Sequence, residues 1–245
     1  MGKDSASDAV SGIGVLDKSV TVLRAIAQAP ANLSELCART NLPRATAHRL
    51  AVGLETHRLL TRNSAGRWQP GPALGELAAA AHDPVREAAL MVLPRLREIT
   101  GESVQIYRRE GSERICIAAV EPPTGLRDTV PVGTRLPMNA GSAAKVLLAW
   151  AEPATQRALL HDSVFTERAL HEIRRRGWAQ SAGERASGVA SVSAPVRDGT
   201  GDVVAAISVS GPIDRMGRRP GARWAADLVA AADAIHKRLA AGVHG

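Results

Sequence analysis

Residues 42–60 read LPRATAHRLAVGLETHRLL. At 3.6 residues per turn, Ala47, Leu50, Ala51 and Leu54 fall on one helical face. The opposite arc carries Arg44, Ala45, His48, Arg49 and Gly53. Between Pro43 and Trp68 stand five arginines, at 44, 49, 58, 62 and 67, against one acid, Glu55. Arginine pairs with a guanine edge through two hydrogen bonds, and small residues such as Ala45 and Gly53 let a helix come close to bases. Taken alone, the arc fits a solvated surface equally well. Arg62 and Arg67 flank a Ser-Ala-Gly turn, where a guanidinium is placed to meet phosphate. Ser34 and Thr46 complete the candidate DNA contacts.

A second set lies further along. Ser142-Ala-Ala-Lys145 has the SxxK spacing, in which one helical turn sets Lys beside a nucleophilic Ser. A serine hydrolase of that type also carries SDN and KTG motifs, and neither occurs here. The neighbours of Ser142 in sequence are Gly and Ala, which give a nucleophile no polar support. A ligand site explains the same residues differently. Small residues at 140–144 open a helix N-terminus, whose free N–H groups attract a carboxylate. On a strand over 202–210, alternation puts Val204, Ala206, Ser208 and Ser210 on one face, and Ser191 and Ser193 share a face of the strand before it. An apolar cavity with a few convergent hydroxyls is a small-molecule pocket. His161, Asp162, His171 and Glu172 lack metal-ligand spacing, so no metal and no cofactor are expected. Arg174, Arg175 and Arg176 end a helix, where cations complement its dipole.

The 45% of hydrophobic residues supports a real core, built from Ala, Val, Leu and Ile because there is one Phe and one Tyr. A net charge of +7 suits a polyanionic partner without naming it. Cys37 and Cys116 stand far apart and outside any CxxC pair, which excludes a disulfide scaffold and fits a reducing compartment. No apolar run approaches the roughly 18–20 residues of a membrane span, and MGKDSASDAVSGIG lacks a signal-peptide core. A cytoplasmic chain with no membrane partner is the expectation.

These residues must be positioned by elements that the pattern also predicts. Helix 15–28 stops at Ala29-Pro30. Helix 33–40 follows Asn32, with Glu35 three positions on in a capping-box arrangement. Only TNLP separates it from the helix that starts near Pro43, a tight helix-turn-helix connection. LLTRN, SAG and RWQPG then make a β-hairpin, so the order is that of a winged helix-turn-helix. The domains expected are a disordered tail at 1–13, a winged helix-turn-helix at 14–72, a linker helix at 73–84 and an effector domain at 85–241. The last begins with helix 85–99, which carries Val85, Ala89, Val92, Leu96 and Ile99 on one face. Strands at 102–109, 114–121, 188–196 and 202–210 alternate with helices at 140–150, 165–176 and 222–240. Hairpin-joined strands with interspersed helices argue an α+β domain with an antiparallel sheet.

The run SVTVLRAIAQAPANLSELCARTNLPRATAHRLAVGLETHRLLTRNSAGRWQPGPALGELAAA resembles the winged-helix domain of IclR-type transcriptional regulators. LPMNAGSAAKVLLAW, RRRGWAQSAGERASGVASVSAPV and VVAAISVSGPI extend the resemblance over about residues 13–240. GLRDTVPVG and GERASGVASVSAPVR are similar in particular to the actinobacterial NdgR/AreB branch. The family resemblance implies a GAF-like effector domain with flanking helices and self-association as a homodimer or homotetramer. Its implied partners are double-stranded promoter DNA with a palindromic operator and a small-molecule effector, such as an amino acid or keto acid. The branch implies control of amino-acid metabolism, leucine biosynthesis in particular. Effector contacts would fall on Met138, Ala140, Gly141, Ser181, Ser191, Ser208 and Ser210, with Ser142 beside them. The family often has an acid after GYA or GWA; here GWAQSAGE has Ser181 near that point and Glu184 slightly later. The chain is therefore expected to be a regulator and not an enzyme. The alternatives are an SxxK hydrolase using Ser142 and Lys145, or an architectural DNA binder without an effector.

Overall fold

A computed structural model describes residues 11–242. Most of the tail expected at 1–13 lies outside the described residues. The chain divides into two units between His82 and Asp83.

In the first unit, α1 (Gly14–Gln28) turns Val22, Ala25 and Ile26 inward. It ends at Ala29, because the residue before Pro30 is driven to extended backbone. α2 (Leu33–Thr40) opens on a complete capping box: Glu35 N–H donates to the Asn32 side chain at 3.0 Å, and Asn32 N–H donates to the Glu35 carboxylate at 2.9 Å. Asn41, in left-handed backbone at φ 55°, closes it and turns the chain into α3 (Arg44–Thr56). Strands β1 (Leu60–Arg62) and β2 (Trp68–Pro70) form an antiparallel hairpin, and Ala31 bridges to Trp68. α4 (Pro72–Ala80) follows, opened by a proline whose missing N–H costs nothing in a first turn. Ile26, Leu36, Ala47, Ala51, Leu60 and Trp68 form the small core. Burying a side chain such as Leu36 contributes about 1.5–3 kcal/mol, so this core is what fixes the angle between α2 and α3.

The second unit begins with α5 (Pro84–Leu90) and α6 (Leu93–Thr100), where the sequence predicts one helix over 85–99. Pro94 has no N–H to give the Leu90 carbonyl, and its ring crowds that oxygen, so the helix breaks. The break leaves Ile99 42% exposed and off the expected apolar face. Then come β3 (Ser103–Glu110), β4 (Glu113–Val120), β5 (Arg135–Pro137), α7 (Ser142–Ala149), α8 (Pro153–Leu160), α9 (Glu167–Arg176), β6 (Ala179–Ala182), β7 (Val189–Arg197), β8 (Val203–Pro212), α10 (Ile213–Met216) and α11 (Gly221–Gly242). Of these, β5, β6 and α10 are too short to show a period, and α8 buries no residue and so has no one-sided apolar pattern.

The sheet is antiparallel throughout, in the order β5-β4-β3-β8-β7-β6. One face packs Leu96, Ile106, Ile207 and Leu228 under α5, α6 and α11. The other packs Cys116, Val146, Leu170 and Ile173 under α7 and α9. On β3 the alternation sends Val104 and Ile106 to the first face and Tyr107 to the second. The architecture is mixed α+β.

Candidate effector and DNA-binding sites

α7 presses its N-terminus onto the middle of the sheet. Its helix start requires Gly141, which sits at φ 95°, and a Cβ there would stand 3.3 Å from an Arg114 nitrogen. Ser142 Oγ lies 2.6 Å from Ser191 Oγ and 2.7 Å from Ser193 Oγ. Ser193 donates on to Ser208 at 2.9 Å, and Ser181 and Ser191 are 3.0 Å apart. Ser142 is thus surrounded by hydroxyls, which its Gly and Ala neighbours in sequence do not reveal.

A cavity opens beside this network, lined by Tyr107, Arg114, Asp128, Gly141, Ser142 and Ala143 and completed by Arg185, Ser191, Ser208 and Ser210. Its empty space, with the open solvent at the mouth included, is about 260 Å³. Of the expected effector contacts, Gly141, Ser142, Ser191, Ser208 and Ser210 line it. Ser181 stands behind Ser191 and touches the cavity through that hydroxyl. Met138 and Ala140 are buried outside the lining, Met138 in the apolar cluster under α7.

Tyr107, Arg114, Asp128 and Arg185 are the lining residues that spacing alone did not single out. Arg114 is 3% exposed, donates to the Pro137 carbonyl, and holds its guanidinium 5.6 Å from the centre of the Tyr107 ring. It makes no ion pair among the described residues, and its Nε has no partner. Burial lowers its pKa to about 10, with the neighbouring Arg185 acting the same way and Tyr107 acting against them. Burial also pushes the Tyr107 phenol above its ordinary range. Arg185 reaches both oxygens of Asp128 at 2.6 Å. The lining therefore holds two guanidinium groups against one carboxylate.

The residue before Arg185 fills the helix N-terminus. Glu184 accepts from Gly141 N–H at 3.1 Å and forms an ion pair with the buried Lys145, whose ammonium also donates to the Gln180 carbonyl at 3.1 Å. The α7 N-terminus, expected to await a ligand carboxylate, already holds one from its own chain. The hydrogen bonds of Lys145 go to Glu184 and Gln180 and those of Ser142 to Ser191 and Ser193, so the SxxK spacing serves packing and charge pairing.

In the first unit, Arg44, Ala45, His48 and Arg49 are exposed on α3, Thr46 is half-buried beside them, and Ser34 is exposed on α2. Arg44 and Arg49 make no ion pair among the described residues. His48 meets Trp68 edge-on at 6.1 Å. The wing arginines are more occupied than their spacing implies. Arg62 pairs with Glu55 at 3.1 Å and stacks 4.3 Å from the Trp68 ring. Arg67 pairs with Glu35 at 2.6 Å and donates to the Pro30 carbonyl at 2.9 Å. Both hold the wing to the helices, and any phosphate they meet shares them with a carboxylate.

A winged helix-turn-helix with an exposed basic recognition helix, followed in the same chain by an α+β domain with a polar cavity, defines a ligand-sensing DNA-binding regulator. Residues 15–64 match the IclR helix-turn-helix domain, and residues 77–237 match the bacterial transcriptional regulator IclR C-terminal domain. The chain belongs to the IclR family of transcriptional regulators, which are not enzymes. It is 31% identical over 222 residues to the HTH-type transcriptional regulator BhcR of Paracoccus denitrificans, covering 84% of this chain and 80% of that one. It is 28% identical over 226 residues to the HTH-type transcriptional repressor AllR of Escherichia coli K12, covering 85% and 83%. Among solved structures, an IclR homologue from Microbacterium hydrocarbonoxydans complexed with 4-hydroxybenzoate superposes with a TM-score of 0.83 at 25% identity, over 93% of this chain and 99% of that one. No helix among the described residues is long and apolar enough to cross a membrane.

Proposed function

We propose that this regulator senses a small organic monoanion through Arg114 and controls amino-acid metabolism, with leucine biosynthesis as the target. Arg114 carries the reading: a buried guanidinium that lines a cavity and has no carboxylate partner. Taking an isolated charge out of water costs several kcal/mol, and an entering carboxylate offsets that cost with charge-assisted hydrogen bonds. Amino acids and keto acids both present such a group. The similar Microbacterium protein is complexed with 4-hydroxybenzoate, itself a carboxylate, which supports the same chemistry here.

The leucine target is supported by the two phrases that resemble the NdgR/AreB branch. GLRDTVPVG contains Asp128, and GERASGVASVSAPVR contains Glu184 and Arg185. Asp128 and Arg185, two of the three charged residues of the cavity wall, therefore fall within the branch-like phrases. In this reading 14–72 reads DNA, 73–84 links, and 85–241 binds effector and oligomerises. A homodimer or homotetramer presents two α3 helices, by Arg44, Ala45, Thr46, His48 and Arg49, to a palindromic operator with half-sites about one duplex turn apart. The effector acts only through differential affinity for the two arrangements of the paired DNA-binding heads.

The test is thermal shift and calorimetry with a panel of amino acids, keto acids and plain short-chain acids, on the wild type and Arg114→Met. At least one acid stabilises the wild type, and the variant loses that response. Indifference to every acid would leave an architectural DNA binder. For the target, binding sites mapped across the genome fall upstream of leucine-biosynthesis genes; their absence there removes that assignment.

A further inference from the structure

The register of the sheet extends the polar site beyond the cavity wall. Ser181 pairs with Ser191, Ser191 with Ser210, and Ser210 with Ser103, which makes one row across β6, β7, β8 and β3. Ser193 pairs with Ser208 and Ser208 with Gln105, a second row two residues along. Ser103, Gln105 and Tyr107 share one face of β3, opposite to Val104 and Ile106. The rows are satisfied at the α7 end by hydroxyl-to-hydroxyl bonds. They are unsatisfied at the β3 end.

Ser103 and Gln105 are completely buried, and Ser103 Oγ and Gln105 Nε2 have no hydrogen-bond partner. Gln105 is not free to turn away. Its Oε1 accepts from Ser210 Oγ at 3.1 Å, and Ser210 lines the cavity. Gln105 itself is not among the lining residues, but its neighbours Tyr107, Ser208 and Ser210 are, so the amide is held as a donor directly behind the wall at the cost of an unmade bond.

We propose that Gln105 is a specificity-determining residue for the effector, donating from Nε2 to an uncharged oxygen at the end of the ligand away from its carboxylate. The inference rests on the reading of Arg114 as the carboxylate anchor. Residues two apart on a strand are about 6.6 Å apart, and the Arg114 guanidinium lies by Tyr107, two residues beyond Gln105. The two ends of the ligand are therefore separated by roughly that distance or slightly more. A 2-keto or 2-hydroxy oxygen sits beside its own carboxylate and cannot span the gap. A keto or hydroxyl oxygen four or so carbons along the chain does. That far oxygen is uncharged because Arg114 is the one lining cation without a carboxylate, and Asp128 repels a second anion.

The probes are 5-oxohexanoate and hexanoate, which share a carboxylate and differ at the far oxygen. Calorimetry on the wild type gives tighter binding of 5-oxohexanoate by about tenfold, the value of one well-made buried hydrogen bond. In Gln105→Leu the preference falls to about onefold while hexanoate affinity is kept. If Gln105→Leu does not fold, Ser210→Ala, which removes the hydroxyl that holds the amide, carries the same comparison. Equal binding of the two probes by the wild type, or a preference that survives both variants, overturns the role of Gln105 and leaves Arg114 as anchor; the amide is then served by water. Failure of both probes to bind the wild type overturns the Arg114 reading and this inference with it.

Discussion

Arg114→Met makes the sharpest demand on the site. Methionine keeps an unbranched stem of similar reach and an affinity for the Tyr107 ring, but removes the charge. The fall of the Arg114 pKa from 12.5 to about 10, at about 1.4 kcal/mol per tenfold, sets the cost of holding it charged in the fold at on the order of 3 kcal/mol. Against this, the variant strands the Pro137 carbonyl, which costs about 1–2 kcal/mol. The net expectation is a ligand-free protein more stable by about 1–2 kcal/mol, a rise in Tm of roughly 3–6 °C for a domain of this size. The sign follows from linkage: a base whose folded pKa is depressed destabilises the fold below that pKa, and the penalty is relieved only as pH rises through about 10. The advantage of the variant is therefore flat across neutral pH and shrinks in strong alkali. Calorimetric melts of the wild type and variant at neutral pH measure it directly. A melting point that drops instead means that Arg114 stabilises the empty fold, and the case for a waiting anion site collapses.

Glu184→Gln acts in the opposite direction. It leaves the buried Lys145 without its counter-charge, and after a discount for the 25% exposure of the Glu184 side chain the loss is about 1–3 kcal/mol, read as a lower Tm. An unchanged melt would mean that the pair contributes nothing. Arg49→Ala weakens operator binding with the melting curve unchanged, because Arg49 is exposed on α3 and unpaired among the described residues; an unaltered gel-shift titration excludes Arg49 from the reading face. For the cysteines, burial pushes the Cys116 thiol up to about 12. A disulfide reagent should therefore titrate Cys37 in the native protein and Cys116 only after unfolding, and equally fast reaction of both would contradict the buried placement.

Much of the first unit was legible from local chemistry. The capping box at Asn32 and Glu35, the Asn41 turn and the stop before Pro30 each depend on residues within four positions, so the helices follow from the sequence. The basic arc of α3 was visible for the same reason. What the wing arginines do was not. Glu55 and Glu35 lie 7 and 32 residues from Arg62 and Arg67, and only the packed domain brings those charges together.

In the second unit, period-2 alternation exposed Ser191, Ser208 and Ser210, and a helix start marked Gly141 and Ser142. Alternation gives the face of a residue within its own strand. It does not give the partner strand or the register, and the polar rows exist only through pairings such as Ser103 with Ser210 and Gln105 with Ser208. The charged wall is still further from local rules. Arg114 and Gly141, or Asp128 and Arg185, meet across sequence gaps that no spacing encodes. The sequence by itself determined the helix-turn-helix, its basic face and the family. Tertiary structure alone decided which arginines stay free and which carboxylate fills the α7 N-terminus, because burial and long-range pairing, not residue type, set the cost of each charge.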